Sequence, residues 1–521
     1  MNENLQELFA NLPAYLGGHV LLSVAALAAA VAVGLPLGIV AGRRPRLAEV
    51  ALTVAGVIQT VPSLALLALM MVALGGLIGF WPAFLALLLY SVLPVLANTV
   101  VGIRGVDPAM TEAARGLGMS DRQALWRVIL PLAAPVILGG VRTATVLVVG
   151  TATLATPIGG QSLGNYIFAG IATLNHTATV FGCVAAALLA VGLDQLVRLL
   201  EVAARRRSRR IALAALAGVL VVVAAGLYEP VTRWFRKHDR VVIASASFTE
   251  QYTLSHAMSR KLEAAGFRPE RRQGMAYGVQ HLALQRGEVD CLVTYTGDVW
   301  TLLMKRHDYA DPETTLAEVK RFLEEDFGVV CLGRLGFENA YAVALPEARA
   351  RSWDTKSITD LARYTRERLG RPLRVGADTG FFHQKEWRRL KDKYGLRDGD
   401  VETVAMDPTL MYAAASEGQV DAIIAFGSDG RIEPFGLRLL DDPEQVFPPY
   451  DAILLVSRAA ADRPGLVESL RPLVGSIDQK AMREANRRVD VGKETPRQAA
   501  RWLLAQCESP LSNPENRQEG K

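Results

Sequence analysis

The sequence has no G-x-x-x-x-G-K-[ST] stretch, so it carries no P-loop for a nucleotide. The nearest fragment, Gly492-Lys493-Glu494-Thr495, lacks the upstream glycine. Histidine is sparse, seven in 521 residues, and never reads H-E-x-x-H. Cysteine is sparser: Cys183, Cys291, Cys331 and Cys507 form no C-x-x-C pair. Zinc and redox motifs are therefore missing, and neither a metal nor a cofactor is expected. No Ser/His/Asp or Cys/His set stands in a recognisable context, so the chain does not read as an enzyme. Charge is scarce as well: 21% of residues are charged, against about 25% in soluble domains. The net charge of +5 is modest. Much of it lies beside apolar runs, so no nucleic-acid partner is expected. Residues 1–17 have no basic n-region, and a cleavable N-terminal signal is not expected.

What the sequence has is apolar length. Runs fall at 18–42, 47–74, 77–103, 132–156, 177–200 and 211–227. A crossing needs about 20 apolar residues, so the sixth is short. Arg43, Arg44 and Arg46 follow the first run, and Arg205, Arg206, Arg207, Arg209 and Arg210 precede the sixth. Cytoplasmic loops carry the Lys/Arg excess. One topology satisfies both clusters: the N-terminus outside, six crossings, and everything after Tyr228 outside. The sixth run, basic then apolar, reads like an export signal retained as an anchor; the small residues Ala224, Ala225 and Gly226 leave cleavage as the alternative. Pro36, Pro62, Pro94 and Pro135 lie in or near the runs, where neighbouring helices can satisfy the freed backbone.

Between the third and fourth runs stands an amphipathic island, Glu112-Ala113-Ala114-Arg115-Gly116-Leu117-Gly118, followed by Val128-Ile129-Leu130-Pro131. Glu112, Ala113 and Ala114 favour a helix, and Gly118 can turn the chain. The stretch resembles the EAA loop of ABC importer permeases, with Val128 where the family usually has isoleucine. The resemblance implies that Glu112, Ala113, Ala114 and Gly118 couple the membrane segments to a separate ATP-binding subunit.

From Arg240 the periodicity changes. Short β-type runs (241–244, 289–293, 373–376, 420–425) alternate with helical patterns, which predicts α/β lobes with parallel strands. An internal echo links them: Gly287-Glu288-Val289-Asp290 leads to Tyr295-Thr296-Gly297-Asp298, and Gly418-Gln419-Val420-Asp421 leads to Phe426-Gly427-Ser428-Asp429. Such turns at the carboxyl ends of strands would face a cleft. Asp298 and Asp429 read more simply as helix caps. Thr249, Glu250 and Gln251 open a helix after a β-run, where free N–H groups favour an anion. The soluble half holds three cysteines, enough for one disulfide whose pairing the sequence leaves open.

Ala244–Tyr252, Tyr295-Thr296-Gly297, Asn339-Ala340-Tyr341-Ala342, Phe426–Arg431 and Phe447-Pro448-Pro449-Tyr450 resemble the glycine betaine/carnitine/choline-binding proteins of osmoprotectant ABC importers. Residues 18–204 are similar to the permeases of the same systems. The resemblance implies a multi-domain chain: an all-α transmembrane permease bundle of about six spans, then a two-lobed α/β periplasmic-binding-protein-like domain. The expected limits are 1–204 for the permease, with its coupling loop at 112–131, and 205–239 for the basic segment, sixth helix and linker. The binding domain is expected at 240–507 and a polar tail at 508–521. The expected location is the cell (inner) membrane with the binding domain outside. The expected partners are a separate ATPase, a second copy of the chain, the bilayer and a small quaternary ammonium ligand. Such a cation has no N–H, and aromatic faces attract it. The resemblance assigns ligand contacts to Trp300, Tyr341, Phe426, Tyr450 and Tyr295, with Gln251 and Thr249 for a carboxylate. Phe426 stands where relatives often have tyrosine, and Phe381–Trp387 lacks an expected Arg-x-Asp-Gly pattern. Another solute such as a polar amino acid, or a membrane-anchored receptor, remains open at this stage.

Overall fold

The computed structural model describes residues 3–235, 240–306, 308–378, 380–408 and 410–508. It divides into two compact units, residues 1–238 with 272–283, and residues 239–271 with 284–521. The linker at 236–239 and nearly all of the expected polar tail lie outside the described residues.

The first unit is helical. Its elements are α1 (Glu3–Arg43), α2 (Pro45–Thr60), α3 (Ser63–Ala73), α4 (Phe80–Arg104), α5 (Pro108–Gly116), α6 (Asp121–Ala124), α7 (Leu130–Ala152), α8 (Gly164–Ala172), α9 (His176–Arg206) and α10 (Arg209–Phe235). Among the described residues five stretches are long and apolar enough to cross a membrane, and α2 with α3, bent by 102°, makes a sixth when taken as one span. The bend falls at Val61-Pro62. Proline cannot continue the hydrogen-bond ladder, and α4 compensates. Tyr90 Oη donates to the Val61 carbonyl, and Gln59 Nε2 donates to Tyr90 O at 2.8 Å.

Contacts at one end of the bundle fix the direction of travel. Arg104 Nε, at the end of α4, donates to Gly42 O, at the end of α1, at 3.3 Å. Arg43 reaches Asp121 O at 3.4 Å. The chain therefore leaves this end after α1 and returns to it after α4, so the bent pair carries it across. Near the opposite end, Leu8 and Tyr15 of α1 pack with Tyr166 and Ala178. The α9 helix thus starts there and finishes, at Arg205 and Arg206, beside the other arginines. Arg207, at φ 51, ends α9, and α10 begins at Arg209, so a tight turn reverses the chain within the basic run. The first helix is longer than the sequence suggests: residues 3–17 extend it rather than forming a separate lead. Gly34, Gly38 and Gly42 make a small-residue ridge on α1, where an added Cβ would come within 3.1, 2.5 and 3.1 Å of Val95, Thr99 and Ile103. Such ridges let apolar helices approach closely.

The second unit holds two five-stranded sheets. The strands are β1 (Arg240–Ser245), β2 (Arg268–Gln273), β3 (Cys291–Tyr295), β4 (Val329–Glu338), β5 (Tyr341–Pro346), β6 (Leu373–Ala377), β7 (Val401–Ala405), β8 (Ala422–Phe426), β9 (Leu437–Leu439) and β10 (Asp451–Ser457). Their orders are β2-β1-β3-β10-β4 and β7-β6-β8-β5-β9. The four predicted runs all contribute strands. The sheets are mixed, however, where parallel ones were expected. β1–β3, β6–β7 and β6–β8 are parallel, while β10 and β5 run against their neighbours. The cause is connectivity: the chain passes from β4 into β5 and from β9 back into β10, so both strands enter a sheet from the other lobe. Each sheet has its own core, around Ile243, Val293 and Leu454 in one and around Val343, Val375 and Ile424 in the other.

The sequence echo has a physical basis. Asp290 Oδ2 accepts from Val242 N at 2.6 Å, and Asp421 Oδ2 accepts from Arg374 N at 2.9 Å. In each lobe the aspartate before a central strand ties down the backbone of the parallel neighbour. All four cysteines are free thiols.

Candidate functional site

The two crossings between lobes run side by side, with Asn339 N donating to Tyr450 O at 2.9 Å. Tyr341 opens β5 just after the first crossing. Tyr450 ends the second. Phe426 closes β8 and pairs directly with Tyr341. The site therefore sits where the carboxyl ends of the central strands meet the hinge.

Rings cluster around Tyr341. Centroids of Phe381, Phe426, Tyr450 and Phe447 lie 5.0, 5.1, 5.7 and 6.1 Å away. Phe381, Phe447 and Tyr450 are buried, whereas Tyr341 and Phe426 are half-buried. Tyr450 lies flat against the Tyr-Thr-Gly turn: a Cβ on Gly297 would sit 2.7 Å from its ring carbons. Only glycine permits that approach.

The next residue is Asp298. Burial pushes its pKa up to about 7. Burial, and after it the Asp298 charge, raise both the Tyr341 and Tyr450 phenols. Glu386 acts on both phenols as well, and Asp378 on Tyr341. The rings thus lie near carboxyl groups that carry negative charge when ionised. Aromatic faces near such groups attract a cation that offers no hydrogen-bond donor.

The structure brings Tyr341, Phe426 and Tyr450 together and places the other predicted contacts elsewhere. Trp300 is 1% exposed, donates to Asp308 O at 3.0 Å and is covered by the Arg306 guanidinium at 3.7 Å. Tyr295 stacks on Phe248, and its hydroxyl donates to Glu250. Gln251 Nε2 is directed to Val293 O at 3.2 Å and Tyr295 Oη at 3.3 Å. Thr249 Oγ1 donates to Asp490 at 2.5 Å. Thr249–Gln251 do open a helix, α11 (Thr249–Ala264), but all three are buried and their side chains are bonded to Asp490, Tyr295, Asn486 and Val293. Sequence reasoning overlooked Phe381 and Phe447, although Phe447 stands in the same motif as Tyr450. It also read Asp298 as a cap, whereas Tyr295 holds the cap position of that turn.

The coupling stretch forms a compact knob. Asp107 caps α5 through Ala109 N at 2.9 Å, and Gly118, at φ +80, turns the chain. Ser120 and Gln123 form a reciprocal cap on α6. A π-helical turn, Leu125–Ile129, leads into α7. Ala114 and Ala124 are buried, Glu112 and Ala113 are exposed, and Met110, Leu117 and Trp126 present apolar surface.

Residues 239–506 match the substrate-binding domain of the ABC-type glycine betaine transport system. Residues 34–210 match the binding-protein-dependent transport system inner membrane component. The ergothioneine transport permease/ergothioneine binding protein EgtU of Helicobacter pylori is 29% identical over 487 residues, 90% of this chain and 86% of that protein. The choline transport system permease protein OpuBB of Bacillus subtilis is 42% identical over 183 residues, 35% of this chain and 83% of that protein. A solved structure described as a glycine betaine/carnitine/choline ABC transporter aligns over 51% of this chain and 98% of its own, at 24% identity and a TM-score of 0.47. The chain belongs to the ABC importers with a binding domain of the glycine betaine type, and it joins that domain to the membrane permease in one polypeptide.

Proposed function

We propose that the chain imports a small quaternary ammonium solute, held by Tyr341, Phe426 and Tyr450 with Phe381 and Phe447 behind them and Asp298 as counter-charge. The observation that carries this reading is the ring cluster at the lobe crossing, set in the field of Asp298. Choline, glycine betaine, carnitine and ergothioneine all bear a trimethylammonium group, and each figures in the name of a relative. A cation over each ring gains about 0.5–2 kcal/mol, so several rings together give useful affinity.

A separate ATPase docks on Glu112–Pro131 and supplies the energy. Two copies of the chain form the pathway, and the tethered binding domains (residues 240–507) raise the local solute concentration at it. The test is isothermal titration of the purified full chain with choline, glycine betaine, carnitine, ergothioneine and proline. Binding of a trimethylammonium compound and not proline, lost in Tyr341→Ala, is expected. Binding of none of the four ammonium compounds overturns the assignment.

A further inference from the structure

Behind the ring cluster lies a buried polar group that the cage does not use. Glu250, 2% exposed, stands in the first turn of α11. Its carboxylate accepts from Tyr295 Oη at 2.5 Å and from Asn486 Nδ2 at 2.9 Å, while Ser428 Oγ donates to Asn339 Oδ1 at 2.9 Å. Asn486 lies on the helix Gln479–Asp490, which packs against the first sheet. The same amide nitrogen donates to Ser428 O at 2.9 Å. One turn earlier, Arg483 donates from Nε and Nη2 to Gly427 O at 3.2 and 2.7 Å.

Gly427 and Ser428 belong to the second lobe and follow Phe426 directly. Gly427 N also donates to Ala340 O at 2.8 Å, the residue before Tyr341. The helix presses so closely on this turn that a Cβ on Gly430 would lie 2.1 Å from Arg487 N. The first lobe therefore grips the segment that carries one wall of the cage.

A buried carboxylate is costly unless its oxygens are satisfied, so Glu250 needs a role that an apolar side chain could not fill. Its role follows from the amide it faces. An asparagine amide presents either an oxygen or two N–H donors. Glu250 accepts one of those donors and so fixes the orientation that sends the other to Ser428 O. We propose that Glu250 and Asn486 are positioning residues that latch the 427–430 turn onto the first lobe, hold Phe426 opposite Tyr341, and thereby set ligand affinity. The affinity part rests on the proposed ammonium cage; the latch itself does not.

The test uses the full chain in detergent with Asn486→Asp and, independently, Glu250→Leu. The first removes the donor to Ser428 O, and the second removes the acceptor that orients the Asn486 amide. Hydrogen exchange without ligand is expected to quicken at least about tenfold for the 426–431 amides, the loss of a hydrogen bond or two, with β1 and β6 unchanged. Choline affinity is expected to fall about tenfold for the same reason. Unchanged exchange at 426–431, or uniform acceleration across both sheets, overturns the latch, since the second pattern marks general destabilisation. Faster exchange at the turn with unchanged choline affinity overturns its link to binding. If the wild-type chain binds no ammonium compound, the cage reading falls and the exchange result alone decides the latch.

Discussion

Tyr341 and Phe426 stand directly opposite each other on antiparallel β5 and β8, with ring centroids 5.1 Å apart and planes inclined at 36°. Cross-strand pairing fixes their spacing, and both residues are half-buried. Removing either ring is expected to weaken binding of a trimethylammonium ligand by about 3- to 30-fold, the range for one cation–π contact. Phe426→Tyr keeps the face and is expected to stay within about threefold of wild type. Titration calorimetry on the full chain measures both. Equal losses in Phe426→Tyr and Phe426→Ala would show that the ring face is not the contact.

Asp298 should make binding depend on pH. Burial pushes its pKa up to about 7 without ligand, against roughly 3.9 for an ordinary aspartate. A bound cation favours the ionised form, so affinity is highest above pH 7. It falls as pH drops through that value, by no more than about tenfold per pH unit. The sign for the ligand-free fold is opposite. A raised carboxyl pKa contributes stability that is complete below about pH 4 and lost as pH rises through 7. The ligand-induced rise in melting temperature is therefore expected to grow from acid to alkaline pH. Asp298→Asn is expected to flatten both curves. A wild-type affinity that stays level between about pH 5.5 and 8, a window that spans this titration, would remove Asp298 from the site.

The coupling knob should separate binding from uptake. Gly118 at φ +80 ends α5, and a residue with a Cβ pays about 1–2 kcal/mol in that conformation. Leu117, 79% exposed, has no internal packing to lose. Gly118→Val and Leu117→Asp are expected to abolish solute uptake by cells while solute binding by the purified chain is unchanged. Uptake that survives both changes would show that this knob is not where the chain is coupled to its ATPase.

Much of this architecture was legible in the sequence because its signals are local. Apolar runs bounded by arginines report spans directly, and the repeated aspartates 290 and 421 mark the same strand connection in both lobes. The motifs around Tyr341, Phe426 and Tyr450 singled out three rings that the fold brings together. The rest depends on contacts distant in sequence. Tyr295 and Phe426 hold equivalent places in the echo, yet only Phe426 joins the rings, because the Tyr295 hydroxyl is taken by Glu250. Phe381 lies in the stretch that departs from the family pattern. The direction of β5 and β10 follows from which lobe the chain arrives from, which no local window records. The glycine ridge at 34, 38 and 42 was not read from the sequence, because its partners lie on α4.

One intramembrane ion pair remains to be accounted for, Arg142 of α7 with Asp194 of α9. The contact is bidentate, at 2.5 and 2.9 Å. Asp194 lies roughly 18 Å along its helix from Arg206, at 1.5 Å per residue, which sets it well inside the apolar span. Charges at such depth are expensive unless paired. The carboxylate side chain is 14% exposed and the guanidinium 39%, so breaking the pair leaves the aspartate worse off than the arginine. Arg142→Ala is therefore expected to destabilise the bundle more than Asp194→Ala, seen as the larger fall in melting temperature. The exchange Arg142→Asp with Asp194→Arg should recover part of that loss. Thermal melting of the purified chain, followed by size-exclusion recovery, reads all three. Because α7 continues directly from the coupling knob, the single variants are also expected to lower uptake more than solute binding. If the exchange variant melts no higher than the worse single variant, the two charges do not act as a pair.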